Sequence, residues 1–74
     1  MIQRTWSGER LRALRRQRGL SREVLAFAIG RSYASLTNYE RGVNVPPATV
    51  VAALAAHLDC TTDDLFDAKE VVDA

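Results

Sequence analysis

Three glycines and a proline pair cut this chain into lengths of a few helical turns. Gly19, Gly30 and Gly42 are spaced almost evenly, and Pro46-Pro47 follow closely. Glycine takes up a left-handed backbone at little steric cost and so ends helices, whereas proline is tolerated in a first turn and no further in. Between these points no run of β-branched or aromatic residues alternates with period two, so no strand is expected. The expected fold class is therefore all-α: one compact five-helix bundle over residues 1–74, with its core in 7–66 and an acidic tail in 67–74.

Each piece carries its own start signal. Ser7 is an N-cap residue, with Trp6 and Leu11 in the positions of a hydrophobic staple and Leu11 and Leu14 facing inward. Ser21 caps a second helix bearing Val24, Leu25, Phe27, Ala28 and Ile29, and Ser32 caps a third from Tyr33 to Arg41. Pro46-Pro47 open a fourth through Leu58, whose Val51, Leu54, Ala55 and Leu58 follow the i, i+3, i+4, i+7 spacing. Thr61 and Asp64 form a capping-box pattern for a short last helix with Leu65 and Phe66, after which the chain is expected to fray.

Composition narrows the function. One cysteine excludes an internal disulfide and a multi-thiolate metal cage. The first residues hold no apolar stretch that would serve as a secretion signal, and Val50–Ala56 is too short to cross a bilayer. A cytoplasmic chain without membrane contact is expected. The net charge of +1 conceals a polarity: residues 1–44 carry nine arginines against three glutamates, while residues 45–74 carry Lys69 against six acidic residues. Either the basic part faces a polyanion, or helix faces of opposite sign attract each other.

The second and third helices hold the clearest signal. Two helices of about two turns, joined by a short turn containing Gly30, have the form of a helix-turn-helix. Ala26 is small where the helices cross, and Leu25, Ile29, Leu36 and Tyr39 supply apolar contacts behind the crossing. Leu11-Arg12-Ala13-Leu14-Arg15, Gly19-Leu20-Ser21, Leu25-Ala26, Ile29-Gly30 and Tyr39-Glu40-Arg41-Gly42, continued by Pro46, Leu54-Ala55, Leu58 and Asp63-Asp64-Leu65-Phe66, resemble the phage repressor/Cro-type (XRE-like) family.

That resemblance implies a lambda-repressor-like DNA-binding domain with its third helix in the major groove. It assigns base reading to Tyr33, Ala34 and Asn38, with Ser32, Ser35 and Thr37 beside them. Asparagine matches an adenine edge, and alanine a thymine methyl. Arg22 at the start of the second helix and Arg41 and Asn44 after the third are implied phosphate contacts. Arg31 departs from the family's apolar residue in the turn; it either reaches a phosphate or lays its stem over the turn. Arg15 is assigned to a partly buried ion pair with Glu40 and not to DNA. Arg10, Arg12, Arg16 and Arg18 are expected to be mostly solvated.

Other departures concern packing. Val24 and Phe27 replace polar residues, forming either a contact patch or, the preferred reading for Phe27, a fold over the core's edge. Asp59 stands where relatives have glycine, so the fourth helix should end under slight strain. His57 and Cys60 are metal-ligand types at i, i+3, but Cys60 falls at a buried family position and no second His/Cys pair accompanies them. No catalytic residue, metal or cofactor is expected, and no small-molecule effector is evident. The implied function is sequence-specific binding of double-stranded DNA by a transcriptional regulator, a homodimer through its C-terminal half. The alternative is a protein-interaction module of the same fold.

Overall fold

The structure, a computed structural model, describes residues 1–72; Asp73 and Ala74, the end of the expected acidic tail, lie outside the described residues. In chain order it holds β1 (Ile2–Trp6), α1 (Gly8–Gln17), α2 (Arg22–Ala28), α3 (Tyr33–Glu40), α4 (Ala48–Leu58), a 3-10 turn (Thr62–Leu65) and β2 (Phe66–Glu70). The four helices stand where the start and stop signals put them.

The all-α five-helix bundle is corrected at both ends. The fifth helix is a single 3-10 turn, and the segment expected to fray is a strand. β2 runs antiparallel to β1 in register Ile2↔Glu70, Arg4↔Ala68 and Trp6↔Phe66. Apart from Trp6 and Phe66 at its root, both strands are exposed on both faces. No hydrophobic alternation was needed to build them, which is why none announces them.

Four helix ends share one device. After α2, Arg31 N–H donates to Ala26 O and Gly30 N–H to Phe27 O, the paired bonds of a Schellman motif. The same pairs recur after α1 (Leu20 to Arg15, Gly19 to Arg16), α3 (Val43 to Asn38, Gly42 to Tyr39) and α4 (Cys60 to Ala55, Asp59 to Ala56). Glycine fills the left-handed position in the first three. Asp59, at φ 52°, fills it in the fourth, as its place in the sequence implied. Arg18 supports that end: its Nε donates to Leu58 O at 2.8 Å and its Nη2 to Asp59 O at 3.1 Å.

At the helix starts, the Ser7, Ser21 and Ser32 hydroxyls accept from the backbone N–H three residues on, and Thr61 and Asp64 complete the capping box. Leu11, Leu25, Leu36, Leu54, Leu58 and Leu65 are fully buried and tie all four helices and the turn into one core. Trp6 joins the ribbon to that core: its ring meets Phe66 edge-on at 5.7 Å, and its Nε1–H donates to Tyr39 O at 3.0 Å. Gly8 marks a close approach of backbone to backbone. A Cβ there would overlap the carbonyl oxygens of Glu40 and Tyr39, so the start of α1 rests directly on the end of α3.

Phe27 is also corrected. It is 87% exposed, and Val24 is 55% exposed. α2 turns Leu25 and Ala26 into the core with Ile29 against it, and at 3.6 residues per turn that rotation sends Val24 and Phe27 to the opposite side.

Candidate nucleic-acid interface

α2 and α3 form the helix-turn-helix. Gly30 (φ 70°) and Arg31 make the turn, and Ser32 starts α3 with its hydroxyl accepting from Ser35 N–H at 3.0 Å. The Ser32 hydroxyl also donates to Ser35 Oγ, so these two side chains brace each other at the helix entrance. Leu36 and Tyr39 are buried and α3 packs against α1 and α2, which leaves its other face open.

On that open side the structure brings together Arg31, Ser32, Tyr33 and Ala34, all exposed, with Ser35 and Asn38 half-buried. Arg41 and Asn44 are exposed just beyond the helix. Thr37 differs from the others: its Oγ1 is buried and has no hydrogen-bond partner among the described residues. The loop around Asn44 also exposes Val43 and Val45, at 59% and 66%, which the sequence reading passed over. Their lack of any inward periodicity is the one signal that marks them.

Behind the open face, Glu40 organises a cluster of charge. It accepts from Arg15 Nε at 2.6 Å and Nη2 at 3.2 Å, and from Arg22 Nε at 3.1 Å. The Arg15 and Glu40 side chains are 8% and 1% exposed, so the expected ion pair is present and deeply placed. Arg15 also donates to Leu20 O at 2.8 Å, closing the end of α1. Burial alone would raise the Glu40 carboxyl, but hydrogen bonds from Arg15 and Arg22 outweigh it and hold the group below its ordinary value. Arg22 thus reaches back to Glu40 from the start of α2, its side chain 29% exposed. Tyr33, and then Glu40, raise its already high basicity, so it keeps its charge.

The arginine-rich half divides by use. Arg4 pairs with Asp63 at 3.0 Å and Arg10 with Asp67 at 2.7 Å, so part of the basic front does attract the acidic back. Arg15, Arg18 and Arg22 serve the fold as described. Among the described residues no ion pair or side-chain hydrogen bond engages Arg31 or Arg41. The cations left to an outside anion therefore include the two that flank α3.

His57 is exposed and Cys60 half-buried, and no three metal-ligating residues come together among the described residues. Burial, reinforced by Asp64, pushes the Cys60 thiol up and away from the reactive thiolate. No helix among the described residues is long and apolar enough to cross a membrane.

Comparison with known proteins agrees with this geometry. Residues 7–68 match the model of a family described as a helix-turn-helix domain. The chain is 36% identical over 58 residues to YazB of Bacillus subtilis (strain 168), an uncharacterized HTH-type transcriptional regulator, with 78% of this chain and 84% of the relative covered. The restriction-modification controller protein C.AhdI from Aeromonas hydrophila superposes with a TM-score of 0.75 at 39% identity, covering 80% of this chain and 89% of that one. The P22 c2 repressor, solved in complex with a synthetic operator, superposes with a TM-score of 0.75 at 31% identity, covering 78% and 88%. The resemblance to phage repressors drawn from the residues holds, and the chain belongs to the helix-turn-helix domain family.

Proposed function

We propose that this protein is a transcriptional regulator that binds double-stranded DNA with α3 in the major groove. The observation that carries the reading is the open face of α3: exposed Tyr33 and Ala34 and half-buried Asn38, flanked by the uncommitted cations Arg31 and Arg41. Asn38 is assigned to an adenine edge and Ala34 to a thymine methyl, with Tyr33, Ser32, Ser35 and Thr37 around them. Arg31, Arg41 and Asn44 are assigned to the sugar-phosphate backbone. Arg22 is assigned there as well: its Nε is held by Glu40, and its Nη groups meet no hydrogen-bond partner among the described residues. The likeness to a repressor solved on its operator supports the same docking.

A single α3 reads few base pairs, so useful selectivity calls for a homodimer on a two-fold symmetric site. Half-sites would lie one helical turn apart, about 34–36 Å. The C-terminal half is assigned to that contact, and the place of action to the cytoplasm. The test is selection of bound sequences from random duplex DNA at two salt concentrations. A two-fold motif with affinity falling steeply in salt is expected. Absence of any enriched motif would defeat the reading and turn attention to a protein partner.

A further inference from the structure

β2 has β1 on one side and no strand on the other. The register fixes which backbone groups face the open side. Val71 N–H donates to Met1 O at 2.8 Å and Ser7 N–H to Leu65 O at 3.0 Å, which makes the odd-numbered residues the hydrogen-bonded pairs of the ribbon. In an antiparallel ladder these alternate with pairs whose N–H and C=O groups point outward. On β2 the outward residues are Phe66, Ala68 and Glu70, and the Phe66 N–H is already given to Asp63 O. Ala68 and Glu70 are exposed, and among the described residues their outward groups meet no partner.

An open edge invites another strand, and this edge is complementary to itself. Two copies related by a two-fold axis pair only with outward groups against outward groups. Centring on Glu70 would set like carboxylates face to face, and centring on Phe66 would drive Asp67 against the 3-10 turn. Centring on Ala68 meets neither obstacle. The two Ala68 residues then exchange N–H and C=O, and each Glu70 N–H meets the second copy's Phe66 carbonyl. Asp67 falls opposite Lys69 on both sides of the axis, in the non-hydrogen-bonded positions where side chains lie closest. Arg10 holds one Asp67 oxygen and leaves the other for that contact. The outer edge of β1 lacks this complementarity, because Ile2–Trp6 carries Arg4 and no carboxylate to set opposite it.

We infer that the outer edge of β2 is the self-association surface, and that a second copy of the chain joins it to make a four-stranded antiparallel sheet. The inference deepens the homodimer reading and rests on it for its role on DNA. A five-residue edge is short, so association in solution is weak and a two-fold DNA site completes it by raising the local concentration.

The test is sedimentation equilibrium of the full chain without DNA, from micromolar to millimolar protein, with Asp67→Lys and Lys69→Glu alongside. Each variant alone sets like charges opposite each other and weakens association roughly tenfold. Their equimolar mixture restores opposite charges at both positions and returns association toward that of the parent chain. Amide exchange gives a second readout: Ala68 N–H gains protection as concentration rises, while Lys69 N–H, bonded to β1, is protected throughout. A parent chain that stays monomeric at millimolar concentration would overturn the inference. So would variants whose mixture associates no better than either alone. Charge-swap rescue without any selected DNA motif would leave the interface standing and remove only the regulator reading.

Discussion

Arg15 of α1 and Glu40 of α3 meet through two hydrogen bonds, of 2.6 and 3.2 Å, at a point where neither side chain sees appreciable water. The pair binds the scaffold to the far end of the helix assigned to the major groove, so it acts on the pose of α3 and not on DNA itself. Arg15→Ala or Glu40→Ala leaves the other charge buried, and the expected loss is about 3–5 kcal/mol of stability. Urea denaturation measures it. Lost DNA binding at unchanged stability would contradict the assignment.

The same carboxyl sets a pH dependence. Because Glu40 lies below its ordinary value of 4.5 in the folded chain, its contribution is complete above that value and disappears as pH falls through the lower folded value. The midpoint of unfolding should therefore drop on acidification below the ordinary carboxylate range. Glu40→Gln, less stable at neutral pH, should show a flatter acid limb when the two curves are compared.

Gly8→Ala tests the contact between the start of α1 and the end of α3. The added methyl has no space beside the Glu40 and Tyr39 carbonyls, and the helices must part to admit it. A cost of about 1–3 kcal/mol is expected, read as a lowered melting temperature. A melting temperature equal to the parent's would mean the approach is looser than described.

Asp59→Gly should act in the other direction. It relieves a left-handed residue bearing a Cβ, and the Asp59 carbonyl remains available to Arg18. Relief of strain exceeds the added chain entropy by up to about 1 kcal/mol, so a modest rise in melting temperature is expected.

On DNA, base readers and phosphate binders separate by salt. Arg31→Ala and Arg41→Ala should each reduce the slope of log affinity against log salt by about 0.9 while leaving sequence preference intact. Asn38→Ala should cost about 1–3 kcal/mol on the selected site and relax preference at one base pair, with the slope unchanged. Competition binding at several salt concentrations distinguishes the two classes.

What the residues disclosed follows from where the physics is local. Gly19, Gly30, Gly42 and the serine caps act within a few positions, and the four helices stand where they point. Arg15 with Glu40 was reachable through family resemblance, since no spacing rule joins positions so far apart. The ribbon was hidden because Asp67, Ala68, Lys69 and Glu70 favour no strand and lie exposed on both faces, so their pairing with Ile2–Trp6 leaves no local pattern. Phe27, expected over the edge of the core, lies on the opposite side because Leu25 and Ala26 fix the rotation of α2. The inward reach of Arg22 depends on where Glu40 comes to rest, which only the folded body decides.

The ribbon ties together residues from opposite extremes of the chain, and Trp6 seats its root against Tyr39. Bringing such remote segments together carries a loop-closure cost that the intervening body offsets by holding the two ends side by side. The outer edge of β2 therefore depends on the assembled body of α1 through the 3-10 turn, since without β1 behind it that segment is not a paired strand. Self-pairing through this edge is in this way a property of the folded molecule: a chain whose two ends have not met does not present it.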